Sequence, residues 1–509
     1  MRDHRGACWL WRDPDGARRG SRGAGPRVPR QARRWRTAHR PGARPGGLPP
    51  RRGRGVTDTP LLLGVDLGTT SVKAVVFTHA GRAAAVGRHA TPWTVTADGA
   101  ETSAEGLRDA TFAAIRSALD HAPAGRIAGI GIASFAEAGV LLDAAGESLA
   151  PVIAWYDRRD TRELAELSDR FGGEFSTMTG LPLAQQWSLT KSRWLGRHHP
   201  EAVARARLRL NMGDWIAHAL GGRAASEPSL ASRTGWLALA ERAPWPAALE
   251  YAGVAAEWVP ELADAGTDLG AVQAGIHPRL TGARIAVAGH DHQAAAVGAG
   301  AWHSGDTLDS CGTAEALVRT ADPGLSSETV ARLTAGGVTV GWHALPGQWC
   351  LLGASEGGRA LGTLLAALEV QDLTAGIDAR ARALHASPRA TTLPSVGSDT
   401  SAADIRARAA AARDTADDGA AAAALWRGSV ERVTGEAREL ADLMATAAGP
   451  SKRMLAVGGW TASAALVDAK RRQLGRVELP EIEEAGARGA ALFAGVAAGM
   501  WDRVANSEF

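Results

Sequence analysis

The fold of this chain turns on Leu61-Leu62-Leu63-Gly64-Val65-Asp66-Leu67-Gly68-Thr69-Thr70-Ser71-Val72-Lys73-Ala74-Val75-Val76-Phe77. Two apolar runs rich in branched residues flank a Gly-Thr-Thr-Ser break, which reads as a β-hairpin whose first strand ends on a carboxylate. The break also carries what a phosphate group needs. Gly68 lets backbone N–H groups come close, Thr69 and Thr70 add hydroxyls, Lys73 adds a cation, and Asp66 is able to hold Mg2+ through water. An ordinary hairpin turn has the same composition, so the surrounding sequence has to decide between the two.

Downstream, a third strand is expected after the turn His79-Ala80-Gly81-Arg82, and residues 103–120 place Leu107, Phe112, Ile115 and Leu119 at helical spacing. Ile127 to Ile132 reads as a buried strand. Val140-Leu141-Leu142 and Val152-Ile153-Ala154-Trp155, separated by a turn at 143–146, read as another hairpin. A mainly helical region from 160 to 255 leads to the strand Ile285-Ala286-Val287-Ala288-Gly289. Then Asp309-Ser310-Cys311-Gly312-Thr313-Ala314 echoes Asp66-Leu67-Gly68-Thr69-Thr70. Two Gly-Thr hairpins, each opening one half, point to a duplicated domain that grips one ligand from both sides, with the boundary near 302–306. Beyond it, 361–368 and 421–445 read as helices and 387–419 as a surface loop. Met454-Leu455-Ala456-Val457 is a strand running into Gly458-Gly459, and 484–499 is a helix of small residues suited to close packing.

The length of 509 residues favours two sizeable domains, and no apolar run approaches the roughly 18 residues that cross a bilayer. Residues 1–57 hold 16 Arg against Asp3, Asp13 and Asp15, a local balance of +13 against +3 for the whole chain, so the remainder carries −10. The basic pI therefore describes one segment and argues for no nucleic-acid or membrane role of the body. That segment, rich in Arg, Gly and Pro, cannot bury enough apolar surface to order itself and is expected to be disordered; a start codon placed too far upstream, with Val56 as the true start, would explain it. Cys311 and Cys350, the two cysteines of the body, have no metal-ligand spacing and fit a reducing cytoplasm.

Taken in order, the motifs resemble the FGGY carbohydrate kinases of the actin-like ATPase superfamily over residues 60–502. Residues 66–73 are similar to the family's first phosphate loop, with Lys73 where a basic residue faces the nucleotide phosphates. Trp155-Tyr156-Asp157-Arg158-Arg159 is similar to its Trp-x-Asp-x-Arg segment, and Lys191-Ser192-Arg193-Trp194-Leu195 and Ala231-Ser232-Arg233-Thr234 also match. Ala288-Gly289-His290-Asp291 resembles the segment with the catalytic aspartate, Gly312-Thr313 the second phosphate loop, and Gly458-Gly459 with Ser463 the adenosine site.

The resemblance implies an α/β fold of two actin-like (ribonuclease H-like) domains around an ATP cleft. Residues 58–304 would hold the sugar and the first phosphate loop, and 305–509 the second phosphate loop and the adenosine site. It also implies ATP and Mg2+ as cofactors, with Asp66 on the metal, Asp291 as general base for in-line transfer, and Glu137, Trp155, Asp291 and His292 on the substrate. Such a transfer needs a positioned base, a metal on the phosphate oxygens and donors for the spreading charge. Glu137 stands where glycerol kinases use an acidic residue to hold substrate hydroxyls, but Ala136 replaces the arginine beside it, and Phe135-Ala136-Glu137 lacks the Met-His pair of xylulokinases. A ketopentose is the expected substrate, with a polyol or an aldonate as the alternative. The implied partner is a small sugar or polyol in the cytoplasm, with no nucleic acid and no membrane; a homodimer is compatible with this.

Three other readings compete. Gly353-Ala354-Ser355-Glu356-Gly357 fits the G-x-S-x-G elbow of an esterase, but the last histidine, His385, follows too closely for the remainder of that fold. His290 and His292 flank Asp291 like metal ligands, yet alternate strand residues face only each other and no partner cluster accompanies them. A chaperone-like nucleotide switch shares the phosphate hairpins but has no need of Asp291 or of the Ala-Ser-Arg-Thr segment.

Overall fold

The computed structural model describes residues 60–509 apart from 98, 371–375, 385–392, 416–418 and 508. The expected disorder of 1–57 lies outside the described residues, as does part of the loop expected at 387–419. Within that stretch Ala402–Arg413 is a helix rather than a loop. Ser401 caps it by accepting from the N–H of Asp404, and Ile405, Ala409 and Ala412 make one buried stripe at helical spacing.

Strands β1 (Leu61–Leu67), β2 (Ser71–Phe77), β3 (Ala83–Ala90), β4 (Ile127–Ser134) and β5 (Arg284–His290) form one sheet in the order β5-β4-β1-β2-β3. β1, β2 and β3 are an antiparallel meander, while β4 is parallel to β1 and β5 to β4. Alternation along β1 sends Leu61, Leu63, Val65 and Leu67 into one core and Leu62 into another, so both faces of the sheet are covered. Helix α1 (Ala104–His121), capped by Ser103, covers the first face with Leu107, Ile115 and Leu119. Helix α2 (Asp291–Gly298) starts directly at the end of β5.

The second sheet repeats the plan. β6 (Asp306–Cys311), β7 (Glu315–Ala321), β8 (Thr339–Trp342), β9 (Trp349–Ser355), β10 (Arg453–Val457) and β11 (Val477–Glu478) lie in the order β8-β9-β7-β6-β10-β11. β6, β7 and β9 are antiparallel neighbours, and β10 and β11 continue the sheet in parallel on the other side of β6, as β4 and β5 do beside β1. The two Gly-Thr hairpins thus occupy the same place in two like sheets, the α/β arrangement of two actin-like units that the sequence implies. Helix α3 (Gly357–Ala367) follows β9, and α4 (Ala464–Gln473) follows β10.

Helix α5 (Ala485–Ala497) does not stay with the second sheet. It lies on the other face of the first, so close that a Cβ at Gly64 would run into the Ala487 carbonyl oxygen and one at Gly131 into that of Ala490. A cut at 304/305 therefore leaves one layer of the first core on the far side of the cut.

The hairpin expected between residues 140–142 and 152–155 does not form. Gly139–Leu142 pairs with Leu208–Asn211, and Val152–Ile153 pairs with Ala100–Thr102. The turn itself is real, with Asp143 accepting from the N–H groups of Ala145 and Glu147, but it returns the chain for only one bridge, Leu142 to Ser148. The remaining partners come from distant sequence, which a local pattern cannot announce.

Candidate active site

β1, β4 and β5 are parallel, and with a bulge between Val287 and Gly289 their carboxyl ends align: Asp66 faces Ala133, while Leu67 and His290 both face Ser134. Three carboxylates leave this one edge. Asp66 is the penultimate residue of β1, Glu137 follows β4 by three residues, and Asp291 is the first residue of α2. The carboxyl edge is where open α/β sheets hold their ligands.

The part-buried Asp66 carboxyl is pushed up to about 7, first by burial and then by the charge of Asp291, with Lys73 opposing. Two carboxylates sharing such a space are relieved by a divalent cation, so the residues present fit the implied Mg2+. Gly486 on α5 lets the carboxylate lie where it does, since a Cβ there would be 2.8 Å from Asp66 Oδ2. Lys73 differs from expectation. Its Nζ lies 2.9 Å from Glu484 Oε2, and Arg88 pairs with the same carboxylate, so the cation expected on the phosphates is held by an acid that the motifs do not include.

Asp291 is about one-fifth exposed, accepts from the N–H of His292 at 2.7 Å, and lies 3.3 Å from His290 Nε2. Burial, reinforced by the charge of Arg233, holds His290 well below the ordinary histidine range, so it is neutral. A neutral imidazole lowers the basicity of a neighbouring carboxylate less than a cation would. His290 ends the strand and His292 stands in the first turn of α2, so the strand alternation invoked for the pair does not apply. Their rings meet edge to face at 5.4 Å.

Glu137 is buried, has a φ of +67°, and forms an ion pair with Arg233. A left-handed backbone at a residue other than glycine costs of order 1–3 kcal/mol and concentrates at functional sites. Burial raises its carboxyl, Arg233 opposes the rise, and the charge of Asp291 adds to it. Arg233 donates from Nη1 to Thr339 Oγ1 of the second sheet at 3.2 Å and stacks over Trp187 at 5.2 Å. A guanidinium thus stands beside Glu137, but it comes from Arg233 in a matched segment whose sequence alone gives it no role.

Trp155 donates from Nε1 to Thr69 Oγ1 at 3.0 Å, and Trp93, which no motif singles out, donates to the Thr69 carbonyl at 2.7 Å. The two indoles, joined by Tyr156, brace the turn at residues 68–70 from one side. Thr91 donates to the Gly68 carbonyl at 2.7 Å, and Thr70 is exposed.

In the second half, Gly312 and the exposed Thr313 form the β6–β7 turn. Gly458, with a φ of +108°, passes so near that a Cβ on it would lie 2.5 Å from the Cys311 carbonyl oxygen; one on Gly358 would run into that of Gly312. Gly458 and Gly459 are exposed beside the turn. Ser463 departs from expectation. It is fully buried, accepts from the N–H of Leu466 as the cap of α4, and donates to Asp378 at 2.6 Å, so its hydroxyl is already engaged.

Ser355 ends β9 at a helix entry, but it is buried and accepts from the Gly357 N–H, unlike the exposed nucleophile of an elbow. The one metal-like grouping among the described residues is Asp309, Cys311 and Glu315, away from the histidine pair.

Residues 61–298 match the model of the FGGY family of carbohydrate kinases, N-terminal domain. The chain is 34% identical over 269 residues to an autoinducer-2 kinase of Klebsiella pneumoniae subsp. pneumoniae, covering 50% of this chain and 49% of that one. It is 31% identical over 274 residues to a xylulose kinase of Streptomyces rubiginosus, covering 52% and 56%. The alignments thus span about half the length of these curated relatives. Among solved structures it resembles xylulose kinase from Rhodospirillum rubrum, with a TM-score of 0.72 and 23% identity over 86% of this chain and 91% of that one. It also resembles Plasmodium falciparum glycerol kinase with ADP, with a TM-score of 0.74 and 17% identity over 88% and 92%. These two likenesses establish the fold.

Proposed function

Taking residues 61–298 as an FGGY-family N-terminal domain, we propose that the chain transfers the γ-phosphoryl group of ATP to a hydroxyl of a small sugar, with a ketopentose as first choice. The observation that carries this reading is the common edge of Asp66, Glu137 and Asp291 at the ends of three parallel strands. A metal-side carboxylate, a sugar-side carboxylate and a base between them are what phosphoryl transfer to an alcohol requires.

In this reading Asp291 takes the proton of the attacking hydroxyl, its carboxylate held by the N–H of His292 with neutral His290 beside it at 3.3 Å. Glu137 accepts from sugar hydroxyls. Its charge is matched by Arg233, so the sugar side offers a paired donor and acceptor, which suits a neutral polyol or ketose better than an aldonate. Gly68, Thr69, Thr70, Gly312 and Thr313 hold the phosphates, Gly458 and Gly459 border the adenosine, and Trp155 borders the sugar. Asp66 holds Mg2+, which when bound neutralises charge on the transferred group. No helix among the described residues is long and apolar enough to cross a membrane, and the reading puts the reaction in the cytoplasm, where ATP is supplied.

A coupled ADP-release screen over pentuloses, hexuloses, polyols, aldonates and autoinducer-2 tests this, the last because of the Klebsiella relative. The expected result is sugar-dependent ADP release, strongest with a ketopentose. Hydrolysis indifferent to every acceptor would defeat the kinase reading.

A further inference from the structure

Beneath the second phosphate turn lies a buried charge cluster that no local sequence pattern announces. Asp309 stands in β6 and Glu315 opens β7, on either side of the turn. Lys470, from α4, reaches both: its Nζ is 2.6 Å from Asp309 Oδ2 and pairs with Glu315, and all three side chains are buried. Cys311 completes the group, with Sγ 3.4 Å from Asp309 Oδ1. The ligand atoms of Asp309, Cys311 and Glu315 lie within 4.8 Å of one another, a spacing a metal ion could use, but the ammonium of Lys470 already fills that role.

Two carboxylates at the roots of a turn that receives polyphosphate oppose its ligand, and burial leaves their field unscreened. We propose that Lys470 is a positioning residue for nucleotide binding: it is the built-in cation of the second phosphate turn, cancelling one of the two negative charges at its roots and tying the turn to the helix that follows Gly458-Gly459. The inference rests on the nucleotide reading above.

The charge of each variant makes the test specific. Taking the carboxylates as ionised, the cluster carries −1 in the parent, −2 in Lys470→Met, −1 again in Lys470→Met/Glu315→Gln, and 0 in Glu315→Gln. Calorimetric titration with Mg2+·ATP between pH 8 and pH 10 reads the affinity without any sugar; the range extends well above the value of about 7 of Glu315 in the parent, because Lys470 lowers that carboxyl and its removal lets burial raise it further, so the −2 state of Lys470→Met is reached at the upper end. Lys470→Met should bind roughly 10-fold more weakly. The double variant should return to within about threefold of the parent, and Glu315→Gln should bind at least as tightly as the parent. If Lys470→Met does not fold, the other two variants still decide. Equal weakening in the double variant and in Glu315→Gln means a purely structural cluster and overturns the proposal. A parent that binds no nucleotide fails the underlying reading instead.

Discussion

The guanidinium of Arg233 meets the carboxylate of Glu137 in a buried ion pair, with side chains 9% and 7% exposed, and extends from there to Thr339 in the second sheet. Glu137 is therefore held in its left-handed conformation by a contact that also spans to the other sheet. Removing one partner of such a pair leaves a buried charge uncompensated, which costs about 3–5 kcal/mol. Arg233→Met should lose that much in urea unfolding, and Arg233→Met/Glu137→Gln should recover most of it. Both should raise the KM for sugar more than that for ATP.

A second prediction concerns pH. Glu227 is buried, with Oε2 accepting from Ser229 and Leu230 while Oε1 has no hydrogen-bond partner, and burial pushes its carboxyl up to about 8. Its folded value lies above its unfolded one, so the folded state holds the proton more tightly and stability falls as pH rises from the unfolded value toward about 8. Glu227→Gln keeps both acceptor contacts and removes the titration. The Tm of the parent should fall between about pH 6 and pH 8 by more than that of the variant; parallel profiles would rule the group out.

A third concerns the packing of α5 on β1. Gly64→Ala would drive its Cβ into the Ala487 carbonyl, a clash with backbone that has no rotamer to escape by. The expected loss is at least ~1–3 kcal/mol, the usual cost of overpacking, read from the urea midpoint. An unchanged midpoint would mean that the helix sits further from the sheet.

Asp66 separates the metal from the base. Asp66→Asn should raise the Mg2+ concentration that half-saturates ATP binding by roughly 10-fold or more, while metal-free ADP binds about as in the parent. An unchanged Mg2+ requirement would move the metal to another carboxylate.

What was legible in the sequence was local. The two Gly-Thr hairpins, the strands that carry Asp66 and lead to Asp291, and the small-residue helix over 484–499 announce themselves through period-two alternation, turn chemistry and composition. What was hidden depends on residues brought together from far apart. The Arg233–Glu137 pair joins positions 96 residues apart, and Lys470 meets Asp309 across 161. Glu484 claims Lys73 only because α5 returns to the first sheet. Ser463 misled for another reason: a hydroxyl beside a Gly-Gly turn suits a ligand and a helix cap equally well, and the structure uses it as the cap.

Asp291 bears the central claim. Asp291→Asn keeps the size of the side chain and its place beside His290 but removes its basicity. The decisive measurement is sugar-dependent turnover of this variant, with ATP affinity determined on the same preparation. Turnover should fall by roughly 10² to 10⁴, the usual worth of a positioned base, with ATP affinity within about threefold of the parent. Turnover close to that of the parent would contradict the claim, because the carboxylate on which the site converges would then have no part in the chemistry.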